Sequence, residues 1–444
     1  MSMAAAISAG LASIVGSSNV ITDEIDLNAY RVSGIAPRAA VRPASKEEVA
    51  EIVRLAATEK LALVPMGART KLGMNIPIGP YDLAVDLTRL DRMVAYDPDD
   101  MTLSVEPGIP LRKLAAALGA HRQFLPLTVP FTNRATVGGT IASGVDSPLR
   151  QLYGTARDFV LGMEFITGDG QTVKSGGRVV KNVSGYDLHK LMIGSMGSLG
   201  VITKVNFRTF PKPATICGFA AALDSASAAA ELRRRVAGSP LRPLTTEILS
   251  PHAAELISIG VEQSCWTFLA TYCGTETVLA RYSSDLSELA GPAKTTVMDE
   301  DTASATLDRL GEFASIILAS SPAAVIAKIS VVPARIGGVL DEVASALRRQ
   351  GLRWAAVARG AGAIYIAVLP GAKQEEAVAG VLEELAQMSN RHNGNFAIPW
   401  LSTEWKTATP AQTTQRSDWK LMRGIKNTFD PSGIFAADPT AERK

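Results

Sequence analysis

Cysteine, histidine and any imbalance of charge are what this 444-residue chain has least of. Its three cysteines, Cys217, Cys265 and Cys273, have no CxxC spacing and are too few to ligate an iron–sulfur cluster by themselves. So low a count suits a reducing compartment, and a cytoplasmic location is expected. The four histidines, His121, His189, His252 and His392, are scattered; His392 in RHNGN has no second histidine nearby, so no metal site is expected. Lysine plus arginine (45) almost cancels aspartate plus glutamate (43), which leaves no basic field to attract nucleic acid. Long apolar runs are missing too. The N-terminal MSMAAAISAGLASIVG is shorter than the ~20 residues a bilayer span needs and lacks the positive charge that precedes a secretory apolar region. It reads as a helix packed on a domain surface, so membrane contact is expected only peripherally or through partners. No GxxxxGK[ST] occurs, which excludes a P-loop. GSMGSLG is not GxGxxG, and RGAGAIYIA has Gly360 and Gly362 without a third glycine, which argues against a Rossmann dinucleotide site.

What is present is a globular composition, 47% apolar and 20% charged, in a chain long enough for two or three domains. Residues 41–210 alternate strands and helices. Ser45 with Glu48 forms a capping box, and Val49, Ile52, Val53 and Ala56 follow on one helical face. Short apolar strands come at LALVP, LAVDL and MTLSVEPG, and Pro110 opens a helix that stops at Gly119. From about residue 214 the pattern changes to two strand–helix–strand–strand units, the first with TICGFAAAL, TTEILS and WTFLATYC, the second with AVIAKISVV, WAAVARG and AIYIAVLP. Units of this kind suit a ferredoxin-like cap. The expected class is α+β, divided as a lead-in 1–40, a first domain 41–213, a cap 214–405 and a C-terminal helix and tail 406–444 that returns to the first domain.

Three glycine-rich segments carry the chemistry. VPMGARTKLG follows a strand and offers consecutive amides at Ala68, Arg69 and Thr70, which can hold a diphosphate, with the Thr70 hydroxyl and the Arg69 guanidinium as further donors. Alone, it also reads as an ordinary surface turn with a solvated arginine. TNRATVGGTIASG has Gly138 and Gly139 for close backbone approach, and hydroxyls at Thr136, Thr140 and Ser143; alone, it is also a tight helix–strand junction. The third is GGRVVKNVSGYDLHKLMIGSMGSLGVITKV, with glycines at 194, 197 and 200 before an aliphatic strand. Three such segments, each attached to a strand within one stretch of ~140 residues, are hard to explain as chance turns.

These segments, with YGTARDFVLGMEFITGDG and the terminal FDPSGIF, resemble in wording and order the vanillyl-alcohol-oxidase flavoprotein superfamily, and within it the FAD-binding subunit of glycolate oxidase. The resemblance implies a two-subdomain FAD-binding domain of the PCMH type followed by the cap. It also implies FAD cradled by Pro65, Met66, Gly67, Ala68, Arg69 and Thr70, passed by Thr136, Val137, Gly138, Gly139 and Ser143, met at its adenine end by the main chain of Val201 and Ile202, and flanked by the turn Pro107–Gly108. Three departures stand out: Arg69 where the family has glycine, Met196 in place of the acidic residue of GSEG, and Ala436 in place of the asparagine of IFNPG. With no histidine in residues 64–73, the FAD is expected to be non-covalent.

No catalytic base is readable from the sequence. Lys328 and Arg335, in AKISVVPARIGG, are the candidate cations for a substrate carboxylate, and a solvated or salt-bridged role for each remains open. His189 reads as a surface residue of its helix. The implied activity is that of a FAD-binding oxidoreductase subunit in the oxidation of a 2-hydroxy acid such as glycolate, with a second flavoprotein and an iron–sulfur subunit as partners. Two alternatives stay open: a self-sufficient 2-hydroxy-acid or alcohol dehydrogenase, and a non-catalytic assembly subunit.

Overall fold

The computed structural model describes residues 3–74, 78–178, 185–260, 264–402, 405 and 418–438. The Val179–Ser184 part of the third glycine-rich run, residues 406–417 and residues 439–444 lie outside that set. Helix Lys46–Glu59 begins as its sequence dictates. The Ser45 hydroxyl accepts from the Glu48 amide (3.1 Å), and the Glu48 carboxylate reaches back to the Ala44 amide (2.7 Å). Its apolar face, Val49, Ile52, Val53 and Ala56, is buried on a four-stranded sheet ordered Val20–Ile21, Ala39–Val41, Leu83–Asp86, Leu63–Met66. The last three strands are parallel, so the chain leaves Leu63–Met66 at Gly67 beside the carboxyl end of Leu83–Asp86. Helix Met3–Val15 joins the same core through Leu11 and Val15, and strand Val20–Ile21 pairs with Ala39–Val41, which draws residues 3–41 into this layer.

A second layer is a five-stranded antiparallel sheet, Met93–Asp97, Thr102–Val105, Val201–Arg208, Val160–Ile166 and Thr172–Gly176. Helices Leu111–Gly119 and Val137–Ser143 pack on it around Leu103, Phe159, Phe165 and Phe207. The C-terminal segment closes the two layers. Helix Trp419–Phe429 ends at the buried Asp430, whose carboxylate accepts from the amides of Ile434 (2.9 Å) and Phe435 (3.0 Å) and from the Lys426 ammonium (2.5 Å). The tail then docks on Leu63, whose amide donates to Ile434 O (2.7 Å) and whose carbonyl accepts from Ala436 N (3.0 Å).

The cap is one eight-stranded antiparallel sheet, ordered Lys294–Met298, Ile216–Leu223, Trp266–Cys273, Thr245–Leu249, Arg353–Arg359, Ala363–Leu369, Val325–Ser330, Asn395–Trp400. Each set of four has the ferredoxin-like order, and the halves meet edge to edge between Thr245–Leu249 and Arg353–Arg359. Helices Ala226–Gly238, Glu276–Ala290, Ile336–Arg349 and Glu375–Arg391 cover one face. The other face packs helices Glu300–Gly311 and Phe313–Ser320 and, between them and the first domain, presents Tyr365 and Trp400 beside Met74 and Met196. The outer strand of each half escaped the sequence pattern, because Lys294–Met298 and Asn395–Trp400 are edge strands with exposed and half-buried residues interleaved.

Candidate active site

An open cleft of about 840 Å³ lies where the first two layers meet. Glycine is what lets its walls close together. A Cβ on Gly67 would sit 2.1 Å from the Thr136 hydroxyl oxygen, and one on Gly138 would sit 2.6 Å from Pro107 Cβ. The strand-end loop, the start of helix Val137–Ser143 and the Pro107 turn therefore touch main chain to side chain. Among the described residues, the amides of Ala68, Arg69, Thr70 and Gly139 donate to no protein acceptor. A run of unpaired amides beside the Thr70 and Thr136 hydroxyls is the donor set of a diphosphate site. Leu72, Leu87, Ala142 and Ile202 add apolar wall for flat rings. The residues present fit FAD.

Two cations flank this loop, and they differ. Arg69 stands in the left-handed region (φ 62), the conformation a glycine takes without cost, and its guanidinium turns to Asp86 (3.1 Å) and the Tyr30 ring (4.6 Å to the centroid). The arginine is thereby held in place of a glycine by contacts within the protein, rather than left free for phosphate. Lys71, which the sequence reading passed over, is 8% exposed and lines the cleft. Its ammonium donates to Pro130 O (3.0 Å) and to the Thr70 hydroxyl (3.4 Å), and among the described residues no carboxylate lies within ion-pair distance. Burial pushes it down to about 8, only partly offset by Glu312.

A second cavity of about 650 Å³ adjoins the first between the two domains, and Ser143 and Met196 line both. On its cap side stand Lys328, Tyr365 and Trp400; on its other side stands Asp146. Strand alternation aims them. Ile326 and Lys328 share the face that looks at the first domain, as Ala363 and Tyr365 do. The Lys328 ammonium lies 3.6 Å from Asp146 and 5.3 Å from the centroid of the Tyr365 ring, and Asp146 also accepts from Arg150 (2.9 Å). Desolvation lowers the Lys328 pKa, but Tyr365 and Asp146 outweigh it and hold the group above its ordinary value. Behind them Arg359 faces Glu247 at 3.3 Å, both nearly sealed from solvent. Among the described residues neither Glu247 oxygen accepts a hydrogen bond of good geometry, and burial, only partly opposed by Arg359, pushes its carboxyl up to about 8.

Residues 37–176 match the FAD binding domain family, and residues 212–439, more than half of the chain, match the family described as FAD linked oxidases, C-terminal domain. The chain belongs to the FAD-linked oxidases. Glycolate oxidase subunit GlcE of Escherichia coli is 40% identical over 164 residues, 37% of this chain and 46% of that protein. A D-2-hydroxyglutarate dehydrogenase of Xanthomonas citri is 37% identical over 180 residues, 40% of this chain and 38% of that protein. The matched stretch thus spans less than half the length of each of these relatives. In fold, p-cresol methylhydroxylase superposes with a TM-score of 0.78 at 18% identity, covering 97% of this chain and 95% of that one.

The superposition establishes for this FAD-linked oxidase the α+β architecture expected from the motifs. Of the residues that the resemblance assigned to the cofactor, Pro65, Met66, Gly67, Ala68, Arg69, Thr70, Pro107, Thr136, Gly138, Gly139, Ser143 and Ile202 line the cleft. Gly108, Val137 and Val201 do not. A Cβ on Gly108 would sit 2.1 Å from Leu87 O, Val137 is in the core of the second layer, and the Val201 side chain is in the core of the first. Arg335 is a correction: it is exposed at the start of helix Ile336–Arg349, on the far face of the cap sheet and outside both cavities. His189 is another, for it is buried rather than on the surface, with its ring Nδ1 3.0 Å from the Ser175 hydroxyl, and desolvation lowers its pKa. His392 pairs with Glu342 at 2.7 Å away from either cavity. Among the described residues no three His, Cys, Asp or Glu side chains are grouped to hold a metal ion, and no helix is long and apolar enough to cross a membrane.

Proposed function

We propose that this FAD-linked oxidase takes part in the oxidation of a small 2-hydroxy acid of the glycolate type, as the FAD-binding subunit of a complex with a second flavoprotein and an iron–sulfur protein. The observation that carries the reading is the second cavity, contiguous with the FAD cleft at Ser143 and Met196, into which Lys328 and Tyr365 face from the cap opposite Asp146. The 40% identity to a glycolate oxidase subunit supports the choice of substrate class and partners. Bound FAD supplies a two-electron acceptor. The chain's own residues do the rest. The amides of Ala68, Arg69, Thr70 and Gly139 hold the diphosphate, with Lys71 neutralising part of its charge. The main chain of Val201 and Ile202 meets the adenine end, as the resemblance implies. Attachment is non-covalent, since residues 64–73 contain no histidine. Lys328 takes the substrate carboxylate, and the Tyr365 hydroxyl fixes the orientation of the bound acid. The cytoplasm is the proposed site of action, with any membrane contact made through the partners.

The test is a visible spectrum of the singly expressed protein, before and after anaerobic glycolate or D-lactate. A flavin spectrum that stays oxidised alone and bleaches once partner subunits are added supports the proposal. Bleaching of the isolated protein would instead establish a self-sufficient dehydrogenase. A folded, colourless protein that takes up no added FAD would overturn the cofactor assignment and leave an assembly role.

A further inference from the structure

A third cleft, of about 580 Å³, opens where helix Arg150–Tyr153 of the first domain meets helix Ala226–Gly238 and the loop after it, and it shares no lining residue with the two cavities above. Arg233 forms its floor and is 9% exposed. Its neighbours Arg234 and Arg235 pair with Glu231, but among the described residues no carboxylate lies within ion-pair distance of Arg233 itself. It donates to Gly360 O (3.1 Å) and Pro333 O (3.4 Å), while its Nε has no partner. Burial pulls its pKa below the ordinary arginine value, and nothing charged opposes that shift. A guanidinium taken out of water without a counter-charge is costly, and such costs persist where something supplies the missing charge.

The surroundings say what could supply it. Arg242 lines the same cleft and among the described residues uses only Nη1, on Ser239 O and Leu241 O (2.8 Å each). Gln151 accepts from the Thr246 hydroxyl through Oε1 (2.5 Å), so its amide nitrogen remains a donor. Gly360 makes this packing possible, for a Cβ there would sit 2.4 Å from Gln151 Oε1. Among the described residues no acidic side chain lines the cleft, whereas Leu152, Val236 and Leu241 form an apolar wall. Donors at one end and hydrocarbon at the other fit an amphiphilic anion.

We propose that this cleft binds a small organic oxyanion, a carboxylate or phosphate head on an apolar body, with the head between Arg233 and Arg242. The site is separate from the proposed 2-hydroxy-acid cavity, and its occupancy is readable without flavin chemistry or turnover.

Calorimetric titration of the full-length protein, with FAD added, against phenyl phosphate, benzoate and inorganic phosphate tests it. At least one of the two aromatic anions should bind saturably at one site per chain, about tenfold more tightly than inorganic phosphate because the ring is buried as well. Whichever of them binds identifies the head group. Arg242→Ala, at an exposed position, should weaken binding by about tenfold or more, and Lys328→Met should leave it unchanged. Arg233→Met should abolish binding while melting no lower than the unliganded wild type, since the uncompensated charge is gone. If Arg233→Met does not fold, Arg242→Ala decides. No saturable binding of any of the three anions overturns the proposal. So does binding that survives Arg242→Ala but is lost in Lys328→Met, which would put the anion in the cavity beside the flavin cleft.

Discussion

Burial pushes the Lys71 ammonium down to about 8, and the diphosphate of FAD would pull it back up. Two opposite pH dependences follow from this one residue. The folded apoprotein holds this proton less tightly than the unfolded chain does, so it pays a penalty below pH ~8 that is relieved as the pH rises toward the ordinary lysine value of ~10.4. FAD affinity should move the other way and fall as the pH rises through 8, as the cation disappears. Lys71→Met separates the two effects. Its apoprotein should be more stable than wild type at pH 7, by as much as roughly 3 kcal/mol if the whole shift is relieved, and that gain should shrink toward pH 10. Its FAD affinity should be about tenfold weaker at pH 7 and independent of pH around 8. Thermal melts with and without FAD between pH 7 and 10 read both. A wild-type FAD affinity that is flat across pH 8 would remove Lys71 from the site. Arg69, by contrast, was the residue the sequence pointed to, and it is already committed to Asp86 and Tyr30.

The cleft exists because a strand-end loop and the first turn of helix Val137–Ser143 approach to main-chain distance. Two neighbouring glycine positions on these elements should therefore respond with opposite signs. Gly67→Ala places a methyl 2.1 Å from the Thr136 hydroxyl oxygen, so loop and helix must part; a loss of ~1–3 kcal/mol of stability is expected together with loss of FAD. At Gly139 the nearest atom to an added Cβ is Thr136 Oγ1 at 3.5 Å, and the position is helical. Gly139→Ala should stabilise the apoprotein by about 0.5–1 kcal/mol, yet weaken FAD binding, because its methyl enters the cleft the glycine lines. Apoprotein melting and flavin titration of the two variants check the pair. Equal FAD binding by Gly139→Ala and wild type would mean the cofactor does not pass this helix start.

The tail of the chain completes the first sheet from the other end of the sequence. Asp430, with its side chain fully buried, gathers the Ile434 and Phe435 amides and the Lys426 ammonium, and the tail it shapes hydrogen-bonds to Leu63, the strand that feeds the Gly67 loop. Asp430→Ala leaves a largely buried lysine without its anion, which should cost about 3–5 kcal/mol and loosen FAD retention through Leu63. Asp430→Asn, which keeps the acceptor for the amides, should cost less. Denaturant melts of the two variants, read beside their bound flavin, test that order; equal losses would mean that accepting the Ile434 and Phe435 amides contributes nothing beyond the charge opposite Lys426. The same long-range logic shapes the cap, where two ferredoxin-like halves fuse through one strand pair and turn a common face to the flavin domain.

Much of this was legible in the sequence, and for local reasons. The Ser45 cap, the apolar face after it, the glycine positions that exclude a side chain and the period-two strands are properties of residues within a few places of one another. The loop Gly67–Thr70 and the start of helix Val137–Ser143 were legible as places of close backbone approach, while their assignment to a diphosphate came from the family resemblance and belongs to the proposal. What could not be read depended on partners far apart in the chain. Lys71 looks like any surface lysine until Pro130 and Phe131 bury it, and His189 until Ser175 meets it. Lys328 and Arg335 are seven positions apart and equally cationic, yet strand register faces one to Asp146, while the other lies past the end of the strand, exposed at the start of the helix on the opposite side of the sheet. The sequence by itself determined which segments could bring backbone close to a neighbour, because that capacity lies in glycine's local conformational freedom. Only the tertiary structure decided which charges share a cavity, because burial and Coulomb energy depend on distance through space and not along the chain.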